Sequence, residues 1–234
     1  MQLGPFDYAL WFVGFLVEIG VVVCVLYKKD VLRYLSLTIY MLCAAFVTCG
    51  QYFCVDRFGY ASPQYRYYYY YTESLLTILL FWTVIQFYQQ TFKEMNVSGY
   101  IRGAAVLLLL ATALFSYAVV HENRSSLTNK FVVELGQNLY FVGVVLTYLL
   151  WGAILKLRET RTRLIQLVLA LGVYFSANAC TYALRNLFPG LQPYVLRWVP
   201  PMVGLWLPLA WAYTFAKVSE DERLATARLV ARAR

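Results

Sequence analysis

Seven apolar runs, each close to the length that crosses a bilayer, occupy most of this 234-residue chain. A hydrocarbon core about 30 Å thick takes roughly 20 mostly apolar residues in a helix. The runs lie at 8–27, 34–55, 67–90, 103–120, 131–155, 164–186 and 198–216. Within lipid every backbone N–H and C=O must be satisfied internally, which restricts such segments to helices or a closed barrel, and runs this long are helical. The connections are too short to hold a soluble domain. The predicted fold is therefore all-α, a polytopic membrane protein with a seven-transmembrane-helix bundle over 1–218. A short basic tail helix is expected over 219–234, where Ser219 and Glu222 have the spacing of a capping box.

Composition agrees with this class. Hydrophobic residues make up 61% of the chain and charged residues 14%, with a formal net charge of +8. A soluble domain carries about 25% charge. The basic balance does not call for a nucleic-acid partner, because its placement has another cause. Fourteen Lys and Arg fall on one side of the predicted spans: Lys28, Lys29, Arg33, Lys93, Arg102, Lys156, Arg158, Arg161, Arg163, Lys217, Arg223, Arg228, Arg232 and Arg234. Six fall on the other: Arg57, Arg66, Arg124, Lys130, Arg185 and Arg197. Cytoplasmic loops carry the excess of Lys and Arg, so the N-terminus is predicted outside and the C-terminus in the cytoplasm. The first run is expected to be a retained span, since MQLGPFD carries no cation before it and Lys28 and Lys29 follow it, the reverse of a signal peptide.

Several chemistries lack their residues. His121 is the only histidine, so paired haem ligands, an H-E-x-x-H zinc helix and histidine-rich metal clusters cannot form. The last run has no internal lysine for a retinal Schiff base; Lys217 sits at its edge. There is no nucleophile elbow, Walker A loop or dinucleotide-binding glycine loop. Cys24, Cys43, Cys49, Cys54 and Cys180 show no C-x-x-C spacing. No cofactor or metal is expected; an enzyme ranks third among the readings, since two close carboxylates can do acid–base work but no nucleophile or metal set accompanies them.

The polar chemistry that does occur is sparse and helical in spacing. Each ionisable residue inside a span costs about 2.5–3.5 kcal/mol on insertion scales and marks a candidate site. Glu18, Glu73 and Glu134 are the three. Glu134, Gln137 and Asn138 stand at i, i+3 and i+4 in the fifth run; Tyr174, Asn178, Thr181 and Arg185 follow i, i+4, i+7 and i+11 in the sixth; Glu73 and Thr77 pair at i+4 in the third. Residues so spaced share a helix face. These nine are the candidate ligand-binding residues, in an outward-facing pocket walled by tyrosines, with Arg185 and Arg66 the natural partners of Glu134 and Glu73. The alternative is interhelical hydrogen bonding alone. Glu18, the deepest acid, has no cation near it in sequence and is the candidate proton-coupling residue, or else it meets a donor on another helix. Pro208 is expected to kink the last run.

In its length and in the run YYYYYTE leading into the third helix, the chain resembles the uncharacterised seven-span integral membrane proteins of bacteria. That resemblance implies a cell (inner) membrane, multi-pass location and no particular activity. The prolines of repeated seven-span sugar transporters and the acidic-Arg motif of G-protein-coupled receptors are missing. The expected function is a non-enzymatic binding, sensory or complex-forming membrane protein, whose partners are membrane lipids and a small-molecule ligand or a second membrane subunit. The alternative is a proton- or cation-coupled transporter of a small solute using the intramembrane carboxylates.

Overall fold

The computed structural model describes residues 5–60, 62–93, 98–121, 127–188, 192–220 and 222–223. Among these residues there are seven α-helices and no sheet: α1 (Pro5–Tyr27), α2 (Leu35–Phe58), α3 (Pro63–Thr91), α4 (Ser98–His121), α5 (Leu127–Lys156), α6 (Thr162–Leu187) and α7 (Gln192–Lys217). Each coincides with one of the seven apolar runs. Five of them, α1, α2, α4, α5 and α6, are long and apolar enough to cross a membrane. In α3 the tyrosine run and the glutamines dilute the mean hydropathy; in α7 the three prolines, Pro200, Pro201 and Pro208, and the tryptophans do so. The α7 backbone stays helical through all three prolines.

Local chemistry sets the helix ends. Ser62 caps α3, its Oγ accepting from the Tyr65 N–H at 3.1 Å with Pro63 in the first turn. α2 stops at Gly59, whose φ of 81° few other residues adopt cheaply. α1 and α5 end alike and without glycine. Lys29 and Arg158 take left-handed backbone angles, φ 57° and 54°. Past them the Asp30 N–H donates to Val25 O and the Glu159 N–H to Ile154 O. This is the Schellman pattern, and in both helices it delivers an acid just beyond the turn.

The packing order is a ring. α1 packs on α2, α2 on α3, α3 on α5, α5 on α6, α6 on α7 and α7 back on α1, while α4 leans on the outside against α5 and α3. The interior holds Leu80, Val84, Phe87, Leu167, Leu171, Phe175 and Trp211. Gly143 lets α5 approach α6, since a Cβ there would collide with the Phe175 ring. The outside is as apolar as the inside: Phe46 is 77% exposed and Leu107 71%, whereas Arg163 is 2% exposed. Apolar surface on that scale suits lipid, and together with the five apolar helices it makes this a transmembrane protein. Buried threonines conform to the same solvent. Thr83, Thr91, Thr147, Thr181 and Thr214 each donate to a carbonyl one turn back in their own helix.

Candidate functional site

Two polar clusters occur in the ring. The first surrounds Glu73 on α3. Its carboxylate accepts a short hydrogen bond from the Tyr140 hydroxyl on α5. The Tyr140 ring lies 6.2 Å from Tyr174 and stacks on Tyr182 at 5.7 Å, both on α6. Tyr174 also meets the Phe175 ring edge-on at 6.2 Å. Tyr40 on α2 is buried and packs edge-on against Trp211 at 5.9 Å. Glu18 accepts from the Thr48 hydroxyl of α2 at 3.1 Å. No cation pairs with either carboxylate among the described residues, whose ion pairs all lie elsewhere.

The nine expected ligand-binding residues separate into groups. Glu73 and Tyr174 belong to the tyrosine cluster, and Thr77 donates to the Glu73 carbonyl at 2.8 Å within its own helix. Asn178 and Thr181 likewise donate to their own helix, to Tyr174 O at 3.0 Å and Ala177 O at 2.7 Å. Asn138 donates to Ser116 Oγ at 2.9 Å and joins α5 to α4. Glu134 and Gln137 are half-buried and make no hydrogen bond or ion pair among the described residues. Arg185 does not reach Glu134; its guanidinium lies over the Tyr182 ring at 5.8 Å. Arg66 is exposed and leaves Glu73 to Tyr140. Of the two cationic pairings expected from the sequence, then, neither forms, because a hydroxyl and an aromatic face are nearer. Tyr140 and Tyr182 belong to the tyrosines expected as pocket walls, and Thr48, the donor to Glu18, was missed: a threonine within an apolar run carries no sign of the helix it faces.

The second cluster was not expected. At the end of the bundle where the α1–α2 and α5–α6 connections meet the residues after α7, Arg163 pairs with Asp30 at 2.5 Å and Glu220 at 3.0 Å. Its Nε and Nη2 also donate to Val218 O at 3.1 and 2.8 Å, and its guanidinium sits 5.5 Å from the Phe215 ring centroid. Glu220 further holds Arg33 at 2.6 Å and the Tyr34 hydroxyl at 2.9 Å. Beside this, Arg161 grips Glu159 at 2.6 Å and Gln90 O at 2.8 Å, and the Thr162 N–H meets Glu222 O. The hydrogen bonds from Arg161 hold the Glu159 carboxyl below its ordinary range, and Glu159 in turn pushes Arg161 up. Two of the acids, Asp30 and Glu159, come from the two left-handed helix ends, and Glu220 from the residues after α7. Partners 133 and 57 residues apart leave no periodic trace; the only sequence signal was an acid directly after each basic helix end, Lys29-Asp30 and Arg158-Glu159.

Among the described residues no group of three His, Cys, Asp or Glu side chains converges to hold a metal. A groove on the outer face of α4, lined by Arg102, Gly103, Val106, Leu107, Leu110, Ala111 and Leu114, is apolar apart from Arg102. In the tail the Glu222 N–H donates to Ser219 O and Arg223 bridges to Arg161; residues 221 and 224–234 of the expected tail helix, and the Asn123-Arg124-Ser125 sequon, lie outside the described residues. Fold and clusters define a helical transmembrane protein whose half-buried carboxylates Glu18 and Glu73 meet hydroxyls, and among the described residues no cation. No protein-family model, curated protein or solved structure matches the chain.

Proposed function

We propose that the chain crosses the membrane seven times, N-terminus outside and C-terminus in the cytoplasm, in the cell (inner) membrane, and works there as a non-enzymatic binding and sensory protein. The Lys and Arg bias supports the orientation. Helices α3 and α7, of 29 and 26 residues, are long enough to span and stand in the ring between apolar helices on both sides. The observation that carries the functional reading is that Glu73, inside the bundle, is answered only by a tyrosine hydroxyl and is surrounded by tyrosine rings. A carboxylate beside aromatic faces suits a small organic cation, which takes the charge of one and the quadrupole of the others. Arg185 over Tyr182 already uses one such face. Tetramethylammonium is the probe. Titrated into the full-length protein in lipid nanodiscs, it should raise the melting temperature of the wild type and of Glu134→Gln, but not of Glu73→Gln. No shift in the wild type, or an equal shift in all three, refutes the site.

A second reading, coupled transport of a small solute, is favoured by one observation: Glu18, within α1, is met by the Thr48 hydroxyl and, among the described residues, by no cation. Uptake of the solute into proteoliposomes driven by an imposed pH gradient, and abolished in Glu18→Gln, would establish it. Gradient-independent uptake, or uptake unchanged in Glu18→Gln, would dismiss it.

A further inference from the structure

Helix α4 leans on the ring from outside, against α5 and α3, and turns its opposite face away from the protein. Along that face runs a groove of about 670 Å³, within the roughly 300–1,000 Å³ that ligand sites occupy. Its lining residues stand at i, i+1, i+4, i+5, i+8, i+9 and i+12, a single stripe of one helix. Leu107, Leu110 and Leu114, all exposed, are its ridges. Gly103 and Ala111 are its hollows, and a Cβ added at Gly103 would meet nothing within 4 Å. The stripe begins at Arg102, and at 1.5 Å per residue it rises about 18 Å from there to Leu114. One leaflet's hydrocarbon, half of a core about 30 Å thick, has nearly the same depth. Arg102 is exposed and makes no ion pair among the described residues, and the first turn of α4 contains no acid. The guanidinium therefore stands unneutralised at the head of an apolar groove one leaflet long.

We propose that this face of α4 seats one anionic phospholipid, its phosphate on the Arg102 guanidinium and an acyl chain laid along the groove toward Leu114. A guanidinium holds a phosphate through two parallel N–H donors. A phosphatidylglycerol headgroup brings that charge unopposed, whereas a phosphatidylcholine carries its own cation beside the phosphate. The seat needs α4 to cross the bilayer, for which it is long and apolar enough, and is independent of any ligand at Glu73. With the orientation proposed above, Arg102 lies at the cytoplasmic leaflet, whose surface is made negative by anionic lipids. A second copy of the chain fits the face less well. Two copies related by a two-fold axis would set Arg102 against Arg102. Gly103 and Ala111 also stand eight positions apart with Leu107 between them, not the four apart that lets two helices close in lipid.

Native mass spectrometry of the full-length protein, released from micelles containing phosphatidylglycerol or phosphatidylcholine of the same acyl chains, counts the lipids retained. The wild type should bind one phosphatidylglycerol about fivefold more tightly than phosphatidylcholine, the effect of a single cation at a lipid surface. Arg102→Gln should remove that preference and Arg102→Lys keep most of it. Lys217→Gln, which removes an exposed cation from a helix packed on α6 and α1, should leave it unchanged. Leu110→Trp obstructs the groove and spares the charge, and should weaken phosphatidylglycerol binding as well. Arg102 and Leu110 are both exposed, so neither change touches the core. Glu73→Gln should bind lipid as the wild type does, which separates a failed lipid seat from a failed cation site. Equal retention of the two lipids by the wild type, a preference that survives Arg102→Gln, or binding indifferent to Leu110→Trp overturns the proposal. A lipid-free dimer that Leu110→Trp dissociates overturns it too, and gives the face to a second copy.

Discussion

The two polar clusters of the bundle contain the same side chains in opposite circumstances. At the basic end, Asp30, Glu159 and Glu220 are each met by an arginine at 2.6 Å or closer, and Arg161 and Arg163 also donate to backbone carbonyls. Inside the ring, Glu18 and Glu73 are met by one hydroxyl each. A carboxylate neutralised by a guanidinium is fixed in charge and geometry, and ties three chain segments together. A carboxylate met only by a hydroxyl can change its protonation without breaking an ion pair. The first arrangement builds a latch; the second leaves a group available for function.

This contrast is open to substitution. The largest effect is expected for Arg163→Met, which leaves Asp30 and Glu220 without their shared cation. Breaking a buried pair on one side costs about 3–5 kcal/mol, to be read as a fall in the denaturant midpoint of the purified protein. Arg163→Lys should recover only part of it, because an ammonium cannot serve two carboxylates and the Val218 carbonyl in one fork. Next comes Gly143→Ala. A methyl forced against Phe175 should cost about 1–3 kcal/mol and separate α5 from α6, lowering the melting temperature without touching either cluster. Tyr140→Phe should cost about 1–3 kcal/mol as well, the loss of the sole donor to Glu73. It is recovered in the double variant Tyr140→Phe/Glu73→Gln, whereas no single neutralisation recovers Arg163→Met.

The smallest effect is in acid. The Glu159 carboxyl is held low by Arg161, so its contribution to stability is complete above the ordinary glutamate range and fades as pH falls through its lowered folded value. Melting temperature measured down a pH series should show this loss in the wild type and not in Glu159→Gln. An equal loss in both would assign acid sensitivity to other groups.

The helices were legible because the apolar runs and their charged borders are local, each decided within about 20 residues. Glu18 and Glu73 were legible for a similar reason: a charge inside an apolar run stands out whatever it touches. Their partners were not. Tyr140 is one of 21 tyrosines, and nothing in the spacing of α5 says which ring turns toward Glu73, just as nothing in α2 marks Thr48 for Glu18, since that depends on which helices become neighbours in the ring. The latch was hidden more thoroughly. Its charges had an adequate explanation as a topology signal, and the pairing of Arg163 with Asp30 requires the ring to close before it exists.

The central claim is that the carboxylates at the basic end hold the fold together, while Glu18 and Glu73 do not. Melting temperatures of Glu18→Gln/Glu73→Gln and Asp30→Asn/Glu220→Gln, measured beside the wild type at neutral pH, test it most directly. The account predicts that the interior pair keeps the wild-type melting temperature, while the other pair melts well below it. An interior pair that melts early, beside a latch pair as stable as the wild type, would contradict the account.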